Sequence, residues 1–154
     1  MTAKAQGFQR FADESELIKW LISEKKAENV TAARKWIRRN VPLETDYQGD
    51  ILSYLNNDLE RPAAFAWKNQ AGPYQRQGIP DVIACIKGEF YAFEVKRPFI
   101  GVTSDMQNKV ITEMINAGGH AYVVSYVSEV RDIITKDFGM LEDAETDPLK
   151  RRRK

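Results

Sequence analysis

The chain has 154 residues, 43% of them hydrophobic and 29% charged, and a formal net charge of +1, which is typical of one globular domain with an extension and excludes an evenly basic surface. No apolar run approaches the roughly 18 residues that span a bilayer, and residues 1–10 lack the apolar core of a signal peptide. We therefore expect a cytoplasmic protein with no membrane partner.

Two helices are predicted in the first 42 residues. Apolar side chains recur at helical spacing over residues 13–26. A second helix is predicted from a cap at Thr31 to about Asn40, and Pro42 ends this section. These features favour a helical hairpin docked on the rest of the chain, with a weak helix-turn-helix as the alternative.

Positive charge is concentrated in two segments. Residues 31–40 contain four basic residues and no acidic one, and residues 150–154 are all basic. Such patches contact phosphates even in a nearly neutral protein. The alternative is a solvated helix face in the first segment and a disordered tail in the second.

The middle of the chain predicts alternating helices and strands. Thr45 opens a helix with an S/T-x-x-E/Q capping box that ends at Gln48. The elements that follow are strands at 63–68, 81–86 and 90–96, a helix at 104–117, a strand at 120–126 and a helix at 128–136. The order α-β-β-β-α-β-α predicts an α/β fold with a mixed β-sheet flanked by helices.

The chain contains one cysteine, Cys85, and one histidine, His120. One cysteine excludes an intrachain disulfide and a cysteine-rich zinc site. Cys85 lies in an apolar strand, so we predict that it is a buried small hydrophobe. One histidine is too few for a histidine-based nuclease or a His-rich metal site.

Three charged residues occur inside strands that otherwise read as buried. Alternation places Glu94 and Lys96 on one face of their strand, and counting from the hairpin turn places Asp81 level with one of them. Two close carboxylates repel unless a proton or a cation lies between them, and oxygen ligands suit Mg²⁺ or Mn²⁺. Such a site is suited to cutting a phosphodiester. The alternative is a Glu-Lys pair on a solvent-facing strand, with Asp81 as a turn residue.

The motifs that follow one another along the chain resemble a known family. They are "TDYQGDILSYL", "AWKNQAG", "GIPDVIACIKGEFYAFEVKRP", "SDMQ" and "AGGHAYVV". This string resembles the PD-(D/E)XK nuclease superfamily, and most closely its VRR-NUC branch, over residues 45–136. The resemblance implies a restriction-endonuclease-like core at residues 43–138, which leaves a helical extension at 1–42 and an acidic-then-basic, disordered tail at 139–154.

The resemblance also implies roles for individual residues. Asp81, Glu94 and the backbone carbonyl of Val95 would bind Mg²⁺ or Mn²⁺, and Lys96 would be the catalytic lysine. A further acid on the opening helix matches Asp46, where glutamate is more usual, and its neighbours Glu44 and Asp50 are rivals for that position.

Other candidate residues have two interpretations each. Gln107 either points at the site or completes a capping box with Ser104. Lys68 and Asn69 either contact phosphate or form an exposed strand end. Arg76, in the loop before the hairpin, and Arg97, after the lysine, are further candidates for binding DNA.

The expected activity is that of a Mg²⁺- or Mn²⁺-dependent deoxyribonuclease, an endonuclease selective for branched, flap or Holliday-junction DNA. Small members of the branch look like phage proteins that act as homodimers, and a two-fold dimer would present two sites to two strands. The alternatives are a DNA-binding module that does not cut and a nuclease that acts on RNA.

Overall fold

The computed structural model describes residues 3–139 and 142–143. Its helices are α1 (Ala3–Gln6), α2 (Glu14–Ser23), α3 (Val30–Asn40), α4 (Glu44–Ser53), α5 (Asp105–Asn116) and α6 (Val127–Phe138), with a 3₁₀ helix at Gly7–Arg10 and a π-helix at Tyr54–Asp58. Its strands are β1 (Leu59–Arg61), β2 (Ala64–Lys68), β3 (Val82–Ile86), β4 (Glu89–Val95), β5 (His120–Val124) and β6 (Glu142–Asp143). No helix within these described ranges combines the length and the apolar character needed to cross a membrane.

The central sheet has the strand order β2-β3-β4-β5. Strands β2, β3 and β4 are antiparallel neighbours, whereas β5 runs parallel to β4 after the crossover through α5. The mixed sheet predicted from the sequence is therefore confirmed, and so is the order α-β-β-β-α-β-α for the central sheet and its helices α4, α5 and α6; the short pair β1 and β6 was not predicted. A parallel pair needs such a long connection, which is why a helix separates β4 from β5.

The segment predicted to be a disordered tail is described only in part. Its residues 142–143 form β6, which pairs antiparallel with β1. The basic residues 150–154 lie outside the described residues, so their predicted contact with phosphates stays a prediction.

The two faces of the sheet are covered differently. One face, which includes Val82, Tyr91 and Phe93, belongs to a large hydrophobic cluster shared with α2, α3, α4 and α6. The other face has a small cluster around Ile83 and Ala92, packed against α5. The core is therefore thick on one side of the sheet and thin on the side that α5 covers.

The N-terminal helices dock on the thick side. Leu17 and Leu21 of α2 and Ile37 of α3 are almost completely buried in the same cluster as the sheet. This is the docked arrangement that the sequence favoured over a separate helix-turn-helix.

The starts of α3 and α4 differ from the predicted caps. The side chain of Asn29 accepts a hydrogen bond from Ala32 N at 2.9 Å, so α3 begins at Val30 and Thr31 lies within its first turn. Helix α4 begins at Glu44, where Asp46 Oδ2 accepts from Leu43 N at 2.9 Å. Thr45 is thus helical, because a carboxylate in the first turn satisfies an N-terminal N–H without a hydroxyl cap.

The prediction that Cys85 is buried is wrong, since its side chain is exposed. Cys85 lies on the α5 side of the sheet, between Phe65 of β2 and Phe90 of β4. Ile83, two residues earlier on the same face, is buried under α5. The helix covers only part of this face, and Cys85 lies beyond it.

Candidate active site

Asp81 is fixed between two strands at the start of β3. The pairing of Val82 with Phe93 places Asp81 opposite Glu94. Asp81 Oδ2 accepts a hydrogen bond from Val95 N at 2.9 Å, and its backbone carbonyl accepts from Asn69 N at 2.7 Å. The two carboxylates therefore lie on adjacent strands at the same level, as counting from the hairpin turn predicts.

The carboxylate of Glu94 is the centre of the cluster, and its two oxygens have different surroundings. Oε1 accepts from Lys96 Nζ at 2.6 Å and from Gln107 Nε2. Oε2 is buried and has no hydrogen-bond partner among the described residues. The side chain is 1% exposed. A buried carboxylate oxygen without a hydrogen bond lowers the stability of the fold unless a cation or a water molecule binds it.

Burial and neighbouring charges control the ionisation of the Glu94–Lys96 pair. Burial raises the pKa of Glu94, and the charges of Asp81 and Glu44 act in the same direction, while Lys96 opposes them. Burial alone would lower the pKa of Lys96, but the hydrogen bond and charge of Glu94, with Glu44 and Asp81, raise it. The acidic neighbours therefore favour the ammonium form of Lys96, and a further cation beside Glu94 would offset the effects that raise its pKa.

Gln107 combines the two interpretations that the sequence left open. Its side-chain Oε1 accepts from Ser104 N at 2.8 Å, and Ser104 Oγ accepts from Gln107 N at 3.2 Å, which completes a capping box. Its Nε2 donates to Glu94 Oε1. One amide therefore fixes the start of α5 and links that start to the cluster.

The opening helix brings Glu44 to the cluster, in place of Asp46. Glu44 Oε1 lies 3.9 Å from Lys96 Nζ. The carboxylate of Asp46 is bonded to Leu43 N, and that of Asp50 accepts from Gln6 Nε2 at 2.9 Å. Glu44 was predicted only as a rival of Asp46 for the further acid, because Thr45 was taken as the cap of a helix that in fact begins at Glu44.

Gln48 follows Glu44 by one helical turn on the same face of α4. Its side chain is 6% exposed, and its Oε1 has no hydrogen-bond partner among the described residues. The amide adds a second unpartnered buried oxygen to this part of the protein.

The residues predicted to bind DNA occupy different surroundings. Lys68 is exposed at the end of β2, and Asn69 is half-buried beside Asp81. Arg76 is exposed and forms an ion pair with Glu113 of α5.

Arg97 is engaged within the chain, and its predicted contact with DNA stays a prediction. Its guanidinium donates to the backbone carbonyls of Pro42 at 2.8 Å, Val41 at 2.5 Å and Arg38 at 3.0 Å. The guanidinium of Arg97 is thus bound to the C-terminal end of α3.

A cavity of about 420 Å³ opens beside Lys96, at the carboxyl ends of β4 and β5. Its lining includes Thr103, Val123 and Ser125. Gly101 lies in the loop that follows β4. It packs so closely against the end of that strand that a Cβ at Gly101 would lie 2.9 Å from Lys96 Cβ. The loop after β4 therefore forms one wall of the space next to the lysine.

Comparison with known proteins gives one similar structure. It is named "VRR_NUC domain". The identity is 18% and the TM-score 0.44, over 62% of this chain and 92% of that chain. No family model and no curated protein matches.

The donor atoms of the cluster fit a hard divalent cation. Within the described residues, no three His, Cys, Asp or Glu side chains are grouped so that they could hold a metal together. Asp81 and the unpartnered Glu94 Oε2 supply two carboxylates on adjacent strands. Mg²⁺ is commonly held by one or two carboxylates and keeps several waters, so a two-carboxylate site matches its needs.

Proposed function

We propose that this chain is a metal-dependent deoxyribonuclease that hydrolyses phosphodiester bonds. The observation that carries the proposal is Glu94, buried beside Asp81 and Lys96 with one carboxylate oxygen unpartnered among the described residues. A structural Glu-Lys ion pair on a strand would not require a second carboxylate at the same level. A cation between the acids would offset both their repulsion and the desolvation of Glu94.

Asp81, Glu94 and the Val95 backbone carbonyl would hold Mg²⁺ or Mn²⁺. When bound, such an ion neutralises charge on the phosphoryl group and lowers the pKa of a coordinated water. Glu44, whose Oε1 lies 3.9 Å from Lys96 Nζ, is the residue that we propose as the further acid in preference to Asp46. All the donors are oxygens, which is the set that these two cations prefer.

Lys96 is the residue proposed to act on the reacting atoms. Its ammonium group is held at 2.6 Å from Glu94 Oε1 and is largely buried, so its direction is fixed before substrate binds. In that position it would orient the attacking water or stabilise negative charge on the pentavalent phosphorus. Gln107 holds the same Glu94 oxygen from α5 and keeps the carboxylate in place.

The proposed substrate is DNA with a branch, a flap or a four-way junction. The cavity beside Lys96 offers room for a nucleotide next to the bond that is cut. Lys68 and Asn69, at the end of β2 next to Asp81, would contact a phosphate of the same strand. We further propose that two copies act as a two-fold homodimer, which would supply one site for each strand of a junction.

One assay tests the proposal. Labelled linear duplex, single strand, flap, four-way junction and RNA are incubated with Mg²⁺, Mn²⁺ or EDTA. We expect metal-dependent internal cuts in DNA, strongest in the branched substrates, and none in Asp81→Asn. Cleavage of RNA alone would change the substrate class, and inertness toward every nucleic acid with Mn²⁺ would refute the proposal.

A further inference from the structure

Helix α3 has a strongly basic face that points away from the core. Arg34, Lys35, Arg38 and Arg39 are exposed, whereas Ala33 and Ile37 on the opposite face are buried. Arg34 lies 3.5 Å from Glu14. The other three basic side chains have no acidic partner within salt-bridge distance among the described residues. Three positive charges with no acidic partner in the described part of the chain therefore lie within five residues of one helix.

The C-terminal end of α3 is attached to the strand that carries the candidate catalytic residues. Arg97 directly follows Lys96, and its guanidinium bonds to three carbonyls at or just after the end of α3. The Arg38 carbonyl is one that a helix terminus leaves without an intrahelical partner, and those of Val41 and Pro42 follow directly after the helix. A short connection then leads to Glu44, which lies 3.9 Å from Lys96 Nζ. Both the end of α3 and the start of α4 are thus fixed next to the site.

A chain of aromatic contacts attaches α3 to the same loop a second time. Phe99, two residues after Arg97, has its ring centroid 6.5 Å from that of Phe8. Phe8 in turn lies 6.5 Å from Trp36 of α3, again between ring centroids. Hydrogen bonds and aromatic packing therefore hold the helix in one position relative to Lys96.

We propose that α3 is a phosphate-binding arm, in which Lys35, Arg38 and Arg39 contact the nucleic-acid backbone that flanks the bond to be cut. Arg97 is the positioning residue that keeps this arm beside Lys96. The proposal rests on the nuclease function proposed above. It assigns a role to the N-terminal segment and gives Arg97 an indirect part in DNA binding.

The charge and dimensions of the arm favour a phosphate backbone as its ligand. From Lys35 to Arg39 the helix rises about 6 Å, and successive phosphates of one strand lie about 3.4 Å apart along a duplex. The three side chains can therefore reach two or three consecutive phosphates. A second copy of the chain is less favourable here, because a two-fold contact through this face would bring like charges together.

The test compares two triple variants with the same change in charge. Lys35→Gln/Arg38→Gln/Arg39→Gln removes the arm's charges, and Lys19→Gln/Lys25→Gln/Lys136→Gln removes three exposed charges elsewhere. Binding of a labelled four-way junction is measured by anisotropy in EDTA over a series of salt concentrations. We expect the arm variant to lower the slope of log K against log salt by about 2 to 3 and to bind at least tenfold more weakly at low salt. The control variant should change affinity less than threefold.

Arg97→Gln tests the positioning role separately. We expect it to reduce the salt slope as the arm variant does, and to add little when combined with that variant, because both changes remove the same contact. Arg97→Lys should restore part of the slope. Circular dichroism checks folding, and the arm variant alone keeps the proposal testable if Arg97→Gln does not fold.

Three outcomes would overturn the proposal. The first is an arm variant with the parent's affinity and salt slope, while the parent still cuts DNA, which leaves the nuclease function intact. The second is an unchanged slope together with an altered oligomeric mass, which would make α3 a contact between copies. The third is a parent that neither binds nor cuts any nucleic acid, which would remove the proposed function as well.

Discussion

At the scale of single residues, the two oxygens of Glu94 do different work. Lys96 and Gln107 hold Oε1, whereas Oε2 has no partner among the described residues. The first oxygen fixes the carboxylate, and the second is the atom best placed to meet a cation. In the proposed site, positioning and metal binding would thus be divided between the two oxygens of one side chain.

Alanine variants of Gln107 and Ser104 would distinguish a role in capping α5 from a role in cleavage. Both belong to the capping box of α5, but only Gln107 also bonds to Glu94. We expect each alanine variant to lose about 1 kcal/mol of unfolding free energy. Only Gln107→Ala should slow single-turnover cleavage, by at least tenfold. Equal loss of cleavage in Ser104→Ala would show that the cap alone matters.

Two buried tyrosines provide a second comparison. Tyr47 Oη has no partner among the described residues, whereas Tyr91 Oη donates to Asp137 Oδ2 at 2.7 Å. We expect Tyr47→Phe to leave the unfolding free energy unchanged or raise it by about 1 kcal/mol, and Tyr91→Phe to lower it by a similar amount. Denaturant unfolding of both variants measures this, and a clear loss in Tyr47→Phe would contradict it.

Tyr47 should also contribute to the loss of stability at alkaline pH. Burial is the main cause that raises the pKa of Tyr47 to about 12. Because the folded pKa lies above the unfolded value of about 10, this contribution to stability is complete below pH 10 and is lost as the pH rises toward 12. The unfolding free energy, measured between pH 9 and 12, should therefore fall less steeply with pH in Tyr47→Phe than in the parent.

At the scale of elements, the position of α5 against the sheet depends on a glycine. Gly78 has φ +82°, and a Cβ there would lie 2.8 Å from Met106 O in α5. We expect Gly78→Ala to lower the unfolding free energy by about 2 kcal/mol. It should also slow cleavage, because a shift of α5 would move Gln107. Gly88 also has positive φ but has open space around it, so Gly88→Ala should cost only about 1 kcal/mol. Chemical denaturation compares the two, and equal effects would contradict the packing argument.

The order and pairing of the elements could be predicted because they follow from local patterns. Alternating strands, the turn at residues 87–89 and the glycines after α5 set the hairpin and the crossover. The helix starts could not be placed as well, since Asn29 and Asp46 competed with threonines that fit the same motif. The exposure of Cys85 depends on how far α5 extends over the sheet, which no local pattern gives.

The candidate site was predictable to the same extent. Asp81, Glu94 and Lys96 follow from strand alternation and the length of the turn. The contact of Glu44 with Lys96 depends on where α4 begins, and the bonds of Arg97 depend on how α3 docks. Both are tertiary features that involve residues more than 50 positions apart in the chain.

At the scale of the whole molecule, the first 42 residues share one hydrophobic cluster with the sheet. Leu17, Leu21 and Ile37 are buried in it, and Arg97 bonds to the end of α3. We expect a fragment that begins at residue 43 to lack cooperative thermal unfolding, because it exposes the apolar surface that these helices cover. A fragment that unfolds cooperatively near the parent's Tm would show instead that the predicted nuclease core is independent.

The central claim is that Asp81, Glu94 and Lys96 form a metal-dependent site for phosphodiester hydrolysis. The most direct measurement is the cleavage rate of an end-labelled four-way junction against Mn²⁺ concentration, for the parent and for Glu94→Gln, which keeps the shape of the side chain. We expect saturable cleavage by the parent, abolished by EDTA, and a loss of at least a thousandfold in Glu94→Gln with the fold retained. Cleavage by Glu94→Gln at the parent's rate would contradict it.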